Sequence, residues 1–150
     1  MLICCVIALL FCITGNAKVP YIPKIINYSV SDYKAGNQNW AVSQGPGGKM
    51  YIGNNRGLLV FDGIHWDLVK LPNNLGVRAL YISKDGRIYV GSFEEFGYFE
   101  MDDENDLIYH SLSSSEMNVY LNNDEFWTIN EYKGEIYFQS FRSFFIYDGE

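Results

Sequence analysis

Beyond residue 12 the chain has no cysteine: Cys4, Cys5 and Cys12 are its only three. A chain exported from about Lys18 onward could form neither disulfides nor thiolate metal sites, so packing and backbone hydrogen bonding must hold it together. Basic residues are also scarce, 11 against 18 acidic ones for a formal charge of -7, and they form no cluster. That excludes the electrostatic footprint needed to grip a phosphate backbone or anionic lipid, and no nucleic-acid contact is expected of this region. Histidine is limited to His65 and His110, and no nucleophile–base–acid set, phosphate loop or metal-ligand spacing occurs. Catalysis, cofactors and metals are accordingly not expected here. Long apolar runs are missing too. The one candidate, Leu2 to Ile13, is followed by Gly15, Asn16 and Ala17, small residues where a signal peptidase reads. Its 12 residues fall short of the roughly 20 that span a bilayer, so a secretory signal over residues 1–17 is favoured over a retained membrane helix. Phe11 is too bulky a neighbour for Cys12 to serve as a lipoprotein acceptor, and the absence of Lys or Arg before the apolar run leaves the true translation start open.

What is present is apolar and aromatic. With 48% hydrophobic and 17% aromatic residues in 150, one domain with a sizeable core is expected. A phrase then recurs without a gap: GGKMYIGNNRGLLVFDG (47–63), DGRIYVGSFEEFGYFEM (85–101) and KGEIYFQSFRSFFIYDG (133–149). In each copy a glycine (Gly48, Gly86, Gly134) precedes a tyrosine by three residues (Tyr51, Tyr89, Tyr137) and another aromatic by thirteen (Phe61, Phe99, Tyr147). The step from Gly48 to Gly86 is 38 residues and from Gly86 to Gly134 is 48, bracketing the period of about 40 to 50 typical of propeller blades.

Local chemistry agrees with that period. Each glycine sits in a tight-turn signal between two strands, WAVSQ and MYIG, RALYI and IYVG, FWTIN and IYFQ, rich in residues that suit a pleated surface. Third strands follow as LLVFD, FGYFE and FFIYD, and fourth strands can be read at 65–71 and 107–112. Both faces of these strands are apolar or small, as in a sheet sandwiched between two neighbours. Gly53 and Gly91 mark positions where backbone crowds, and Gln139 breaks that pattern in the third copy. The fold class expected is all-β: four-stranded antiparallel propeller blades, about two and three-quarters of them, over repeats 40–72, 78–112 and 126–150, after a lead-in at 18–39. The chain stops within a blade, so it is expected to be a fragment whose remaining blades complete the ring. Residues 25–33 are expected to supply a stray strand to the last blade, and the polar stretch 101–126 an elaborated rim loop.

The runs YKAGNQNWAVSQGPGGKMYIGNNRGLLVFDGIHW (33–66), GRIYVGSFEEFGYFE (86–100) and GEIYFQSFRSFFIYDG (134–149) together resemble the opening of the two-component-regulator propeller proteins of the Bacteroidetes. The resemblance covers the chain from about Asn27 onward. It implies an exported, periplasmic ectodomain of an inner-membrane sensor, in which a β-sandwich with a triple-tyrosine motif and one membrane helix lead to a histidine-kinase or helix-turn-helix output. It also implies a small-molecule or glycan ligand, and a possible homodimer at full length. A secreted propeller lyase or glycosidase and a scaffold propeller without ligand are the rival readings.

Site expectations follow from recurrence. The aromatics that recur are assigned to the core between blades, whereas Phe93, Phe96 and Phe141, which do not recur, are candidates to touch a ligand. Asn54, Asn55, Arg56, Glu94, Glu95 and Arg142 lie in the loops between second and third strands, at one mouth of the ring, and are expected to add polar contacts. The two histidines are read as surface residues of outermost strands. Asp102, Glu104 and Asp106 alternate like half a calcium loop, but Leu107 stands where the turn glycine belongs, which favours a solvated loop.

Overall fold

The computed structural model describes residues 22–149, so the expected secretory signal lies outside the described residues. Blade 1 consists of β1 (Asn39–Gln44), β2 (Met50–Asn54), β3 (Gly57–Phe61) and β4 (Trp66–Val69). Blade 2 repeats the pattern with β5 (Ala79–Ile82), β6 (Ile88–Gly91), β7 (Phe96–Met101) and β8 (Leu107–Ser111), and blade 3 carries β9 (Phe126–Tyr132), β10 (Glu135–Ser140) and β11 (Phe144–Tyr147). Every strand pairs antiparallel with its sequence neighbour inside its own sheet. The fold is therefore an open series of meander blades, as the repeat requires. Gly48, Gly86 and Gly134 turn the first hairpin of each blade with φ of 80°, 92° and 88°, a region that side chains with a Cβ avoid.

Register decides what the recurrent aromatics do. Because side chains alternate across a strand, Tyr51 and Tyr89 face the following blade, while Ile88 with Val90, and Ile136 with Phe138, face the preceding one. Tyr51 accordingly packs with Ile88, Val90 and Phe99, and Tyr89 with Ile136, Phe138 and Tyr147. Tyr137 holds the same position in blade 3. Its face, shared with the exposed Tyr132, Phe144 and Ile146, is open, so this half-buried tyrosine spends its hydroxyl on Glu135 at 2.6 Å. Three tyrosines thus share one structural role, and the third lacks only the neighbour.

Gly53 and Gly91 stand where the next blade's chain passes. A Cβ on Gly53 would lie 2.9 Å from the Val77 carbonyl oxygen, and one on Gly91 would lie 2.6 Å from the Phe126 Cβ. Such approaches require glycine.

Two expectations are corrected. Residues 25–33 form no strand: Ser29 donates its backbone N–H to the Asp32 carboxylate at 2.6 Å, committing the chain to the single turn α1 (Val30–Tyr33). The segment lies flat on blade 1, with Tyr28 edge-on to Phe61 and Trp66 and Tyr33 buried against Ile52 and Leu59. The polar stretch before β9 is likewise more than loop. It contains the short turn α2 (Asn118–Leu121), which drives Leu121 into the core between blades 2 and 3.

Candidate functional site

Strand alternation places the β2–β3, β6–β7 and β10–β11 loops on one rim, together with the segments that lead into each blade. One device builds this rim three times. Asn54, Ser92 and Ser140 occupy the same repeat position, at 0%, 1% and 7% exposure, and each binds the segment leading into its own blade. The Asn54 amide donates to Gly36 O at 2.8 Å and to Asn39 Oδ1 at 2.6 Å, and its oxygen accepts the N–H groups of Gly36 and Arg56, both at 2.9 Å. Ser92 Oγ donates to Gly76 O at 2.5 Å, and Ser140 Oγ to Asp124 Oδ2 at 2.5 Å. Buried polar groups satisfied in this way fix loop geometry instead of offering free contacts.

Asp124 anchors the third latch. Burial alone would raise its pKa, but hydrogen bonds from Ser140 and from the backbone N–H groups of Glu125, Arg142 and Phe141 outweigh burial and hold it below the ordinary aspartate value of 3.8. A depressed folded-state pKa means a contribution to stability that is complete above the unfolded value and lost as pH falls through the folded one. Asp124→Asn should therefore destabilise by about 1–3 kcal/mol at neutral pH, by setting amide donors against donors. In urea titrations the gap between the two proteins should narrow below about pH 4; a gap independent of pH would contradict this role.

The six polar candidates separate by environment. Asn54 belongs to the latch. Glu95 receives the hydroxyls of Tyr109, Ser111 and Ser113 at 2.9, 2.7 and 2.9 Å, fastening the outer strand; burial, then this carboxylate, pushes the Tyr109 phenol well above its usual pKa. Asn55 accepts from Trp40 Nε1 at 2.7 Å and from Arg78 Nη1, and donates to Gln38 at 2.7 Å. Arg56, Glu94 and Arg142 remain exposed. Glu94 accepts the Asn123 N–H at 2.5 Å and Arg142 reaches the Asn122 carbonyl at 3.5 Å, so these two meet the same segment while Arg56 stands on the blade 1 loop.

Among the aromatics, Phe93 and Phe141 are 40% and 78% exposed, but Phe96 is 3% exposed and belongs to the core between blades 2 and 3. Phe96 is thus corrected from ligand candidate to packing residue: it is the first residue of β7 and its side chain falls on the blade 3 face. His65 bonds Asp62 just before β4, and His110, on β8, lies 3.0 Å from Glu100. Asp102 turns its carboxylate onto the N–H groups of Glu104 and Asp106.

The structure adds residues that recurrence had passed over. β1, β5 and β9 pack side by side as the innermost strands, and their leading ends bring Trp40, Arg78, Glu125 and Trp127 together. Arg78 Nε donates to Glu125 Oε1 at 2.7 Å, and its guanidinium lies 4.5 Å over the Trp40 ring. Trp40 meets Trp127 edge-on at 5.7 Å, and Trp127 meets Phe141 at 5.6 Å. Trp127 Nε1 is buried without a hydrogen-bond partner among the described residues. The signal lay in the first strands WAVSQ, RALYI and FWTIN, where Trp40, Arg78 and Trp127 differ in type at a shared position. A fixed cation, a carboxylate and aromatic rings on one rim can stack on and hydrogen-bond a polar ring.

No curated protein matches the chain at a significant level. Residues 70–94, which lead into blade 2 and run through β5 and β6 to the loop carrying Phe93 and Glu94, match the family described as the two component regulator propeller. The chain therefore carries a propeller repeat of the two-component-regulator kind.

Proposed function

We propose that the chain is the N-terminal part of an exported, periplasmic propeller that senses a small molecule or glycan for a membrane-spanning regulator of transcription. The remaining blades, in this reading, belong to the same longer protein and cover the open face of blade 3. The region works by binding and not by bond chemistry. Binding that is tighter in one of two ectodomain arrangements shifts their populations, and that shift is the signal.

One observation carries the reading: three successive blades deliver Trp40, Arg78 and Trp127 to a single rim, beside the exposed Arg56, Glu94 and Arg142. The test is glycan-array and calorimetric binding by the full-length ectodomain. Joint replacement of Trp40, Arg56, Glu94 and Arg142 by alanine should weaken binding about a hundredfold, as the loss of several anchors does. Unchanged affinity would refute the assignment of the rim. Asn54 and Glu95 stay out of the set because their loss would disturb the loops themselves.

A further inference from the structure

The opposite rim, at the β1–β2 and β5–β6 turns, carries a groove at each junction between blades, and the two grooves differ. Between blades 2 and 3 the groove measures about 330 Å³ and is bordered by Arg87, Tyr89 and Glu131. Its charged groups are answered from within: Tyr81 donates to Glu131 at 2.8 Å, and Arg87 lies 3.5 Å from Glu100 and 3.9 Å from Asp85.

Between blades 1 and 2 the groove is about 650 Å³, bordered by Pro46, Lys49, Tyr51, Arg87, Glu100 and Met101, within the size range of small-molecule sites. Here Lys49 and Tyr51 occupy the repeat positions of Arg87 and Tyr89, but their polar groups are left over. Tyr51 is 2% exposed and borders the groove, and its hydroxyl makes no hydrogen bond among the described residues. Lys49 makes no ion pair among them either, although Asp67 and Asp106 border an adjoining recess. Arg87, by contrast, is neutralised by Glu100 at 3.5 Å and Asp85 at 3.9 Å. Burial raises the Tyr51 pKa, so at neutral pH the hydroxyl is a donor.

Two donors without protein acceptors, beside the exposed apolar side chains of Met101 and Pro46, suit a guest that brings its own acceptor. The nearby carboxylates disfavour more than one negative charge. We propose that the groove between blades 1 and 2 binds a small organic carboxylate, held by the Lys49 ammonium and the Tyr51 hydroxyl, with its apolar part on Met101 and Pro46. This site is on the rim opposite the sensing loops and stands independently of them.

Saturation-transfer NMR on the full chain, with benzoate and its uncharged analogue benzyl alcohol as probes, tests the site. Benzoate should bind at least about tenfold more tightly than benzyl alcohol, and Lys49→Met should remove that advantage, as loss of a charge-assisted contact does. Tyr51→Phe should weaken benzoate about fivefold, the worth of one neutral hydrogen bond, while leaving the urea midpoint unchanged, since the hydroxyl supports nothing in the fold. Tyr89→Phe should leave benzoate binding unaltered. Equal affinity for the two probes, no benzoate binding at millimolar concentration, or wild-type benzoate binding by the Lys49 or Tyr51 variant would overturn the proposal.

Discussion

Replacing Tyr89 with alanine should destabilise the chain by about 3–5 kcal/mol, the range for truncating a buried aromatic. The same replacement at Tyr137 should cost about 1 kcal/mol or less. Both tyrosines stand three residues after a turn glycine, in the second strand of a blade, on the same face of their sheets. Tyr89 is 4% exposed and touches Tyr98, Phe138 and Tyr147, with ring centroids 5.7, 6.0 and 6.4 Å away. Among the described residues no blade covers the face of Tyr137. Since a domain of this size has only about 5–15 kcal/mol of net stability, the first change should shift a urea midpoint strongly and the second barely. Equal losses would mean that the open face of blade 3 is covered in solution, by a second copy or by more of the chain.

Gly91→Val should be the other damaging change, at about 3 kcal/mol or more, the upper part of the overpacking range. A Cβ at Gly91 falls 2.6 Å from the Phe126 Cβ and 3.3 Å from the Ala79 Cβ. Neither neighbour is a flexible side-chain end that could swing away. Relief requires β9 to move off β6, which opens the core formed by Phe96, Phe126 and Phe138. Protease cleavage in the β9–β11 sheet should therefore accelerate ahead of cleavage in blade 1. Gly134→Ala is the contrast: it is strained by its φ of 88° but has nothing within 4 Å, so it should cost about 1–2 kcal/mol, all of it at the turn, and leave the junction intact. A Gly91→Val protein as stable and as protease-resistant as wild type would show that the blades do not meet as described.

The repeat was legible because its causes are local. A glycine at positive φ, alternation along a strand and a return after a short loop are all settled within about fifteen residues, and these set the blades and their recurrent aromatics. The lead-in was misread for a complementary reason. IINYSVSDY has strand-like composition, but the bond from the Ser29 N–H to Asp32 and the pull of Trp66 on Tyr28 and Tyr33 outweigh propensity. Phe96 was misread because non-recurrence in type said nothing about which face of its sheet it occupied.

By itself, the order of residues determined the blade architecture, the turn positions and the equivalence of Tyr51, Tyr89 and Tyr137. Only the tertiary structure decided which polar residues are latches and which are free to meet a ligand. Asn54 and Asn55 are adjacent, yet the first is sealed against Gly36 and the second reaches Trp40 and Arg78. The physical reason is that a polar side chain's fate depends on partners folded back from far along the chain, 18 residues for Asn54, 16 for Ser92 and 16 for Ser140. No local pattern records where those partners arrive.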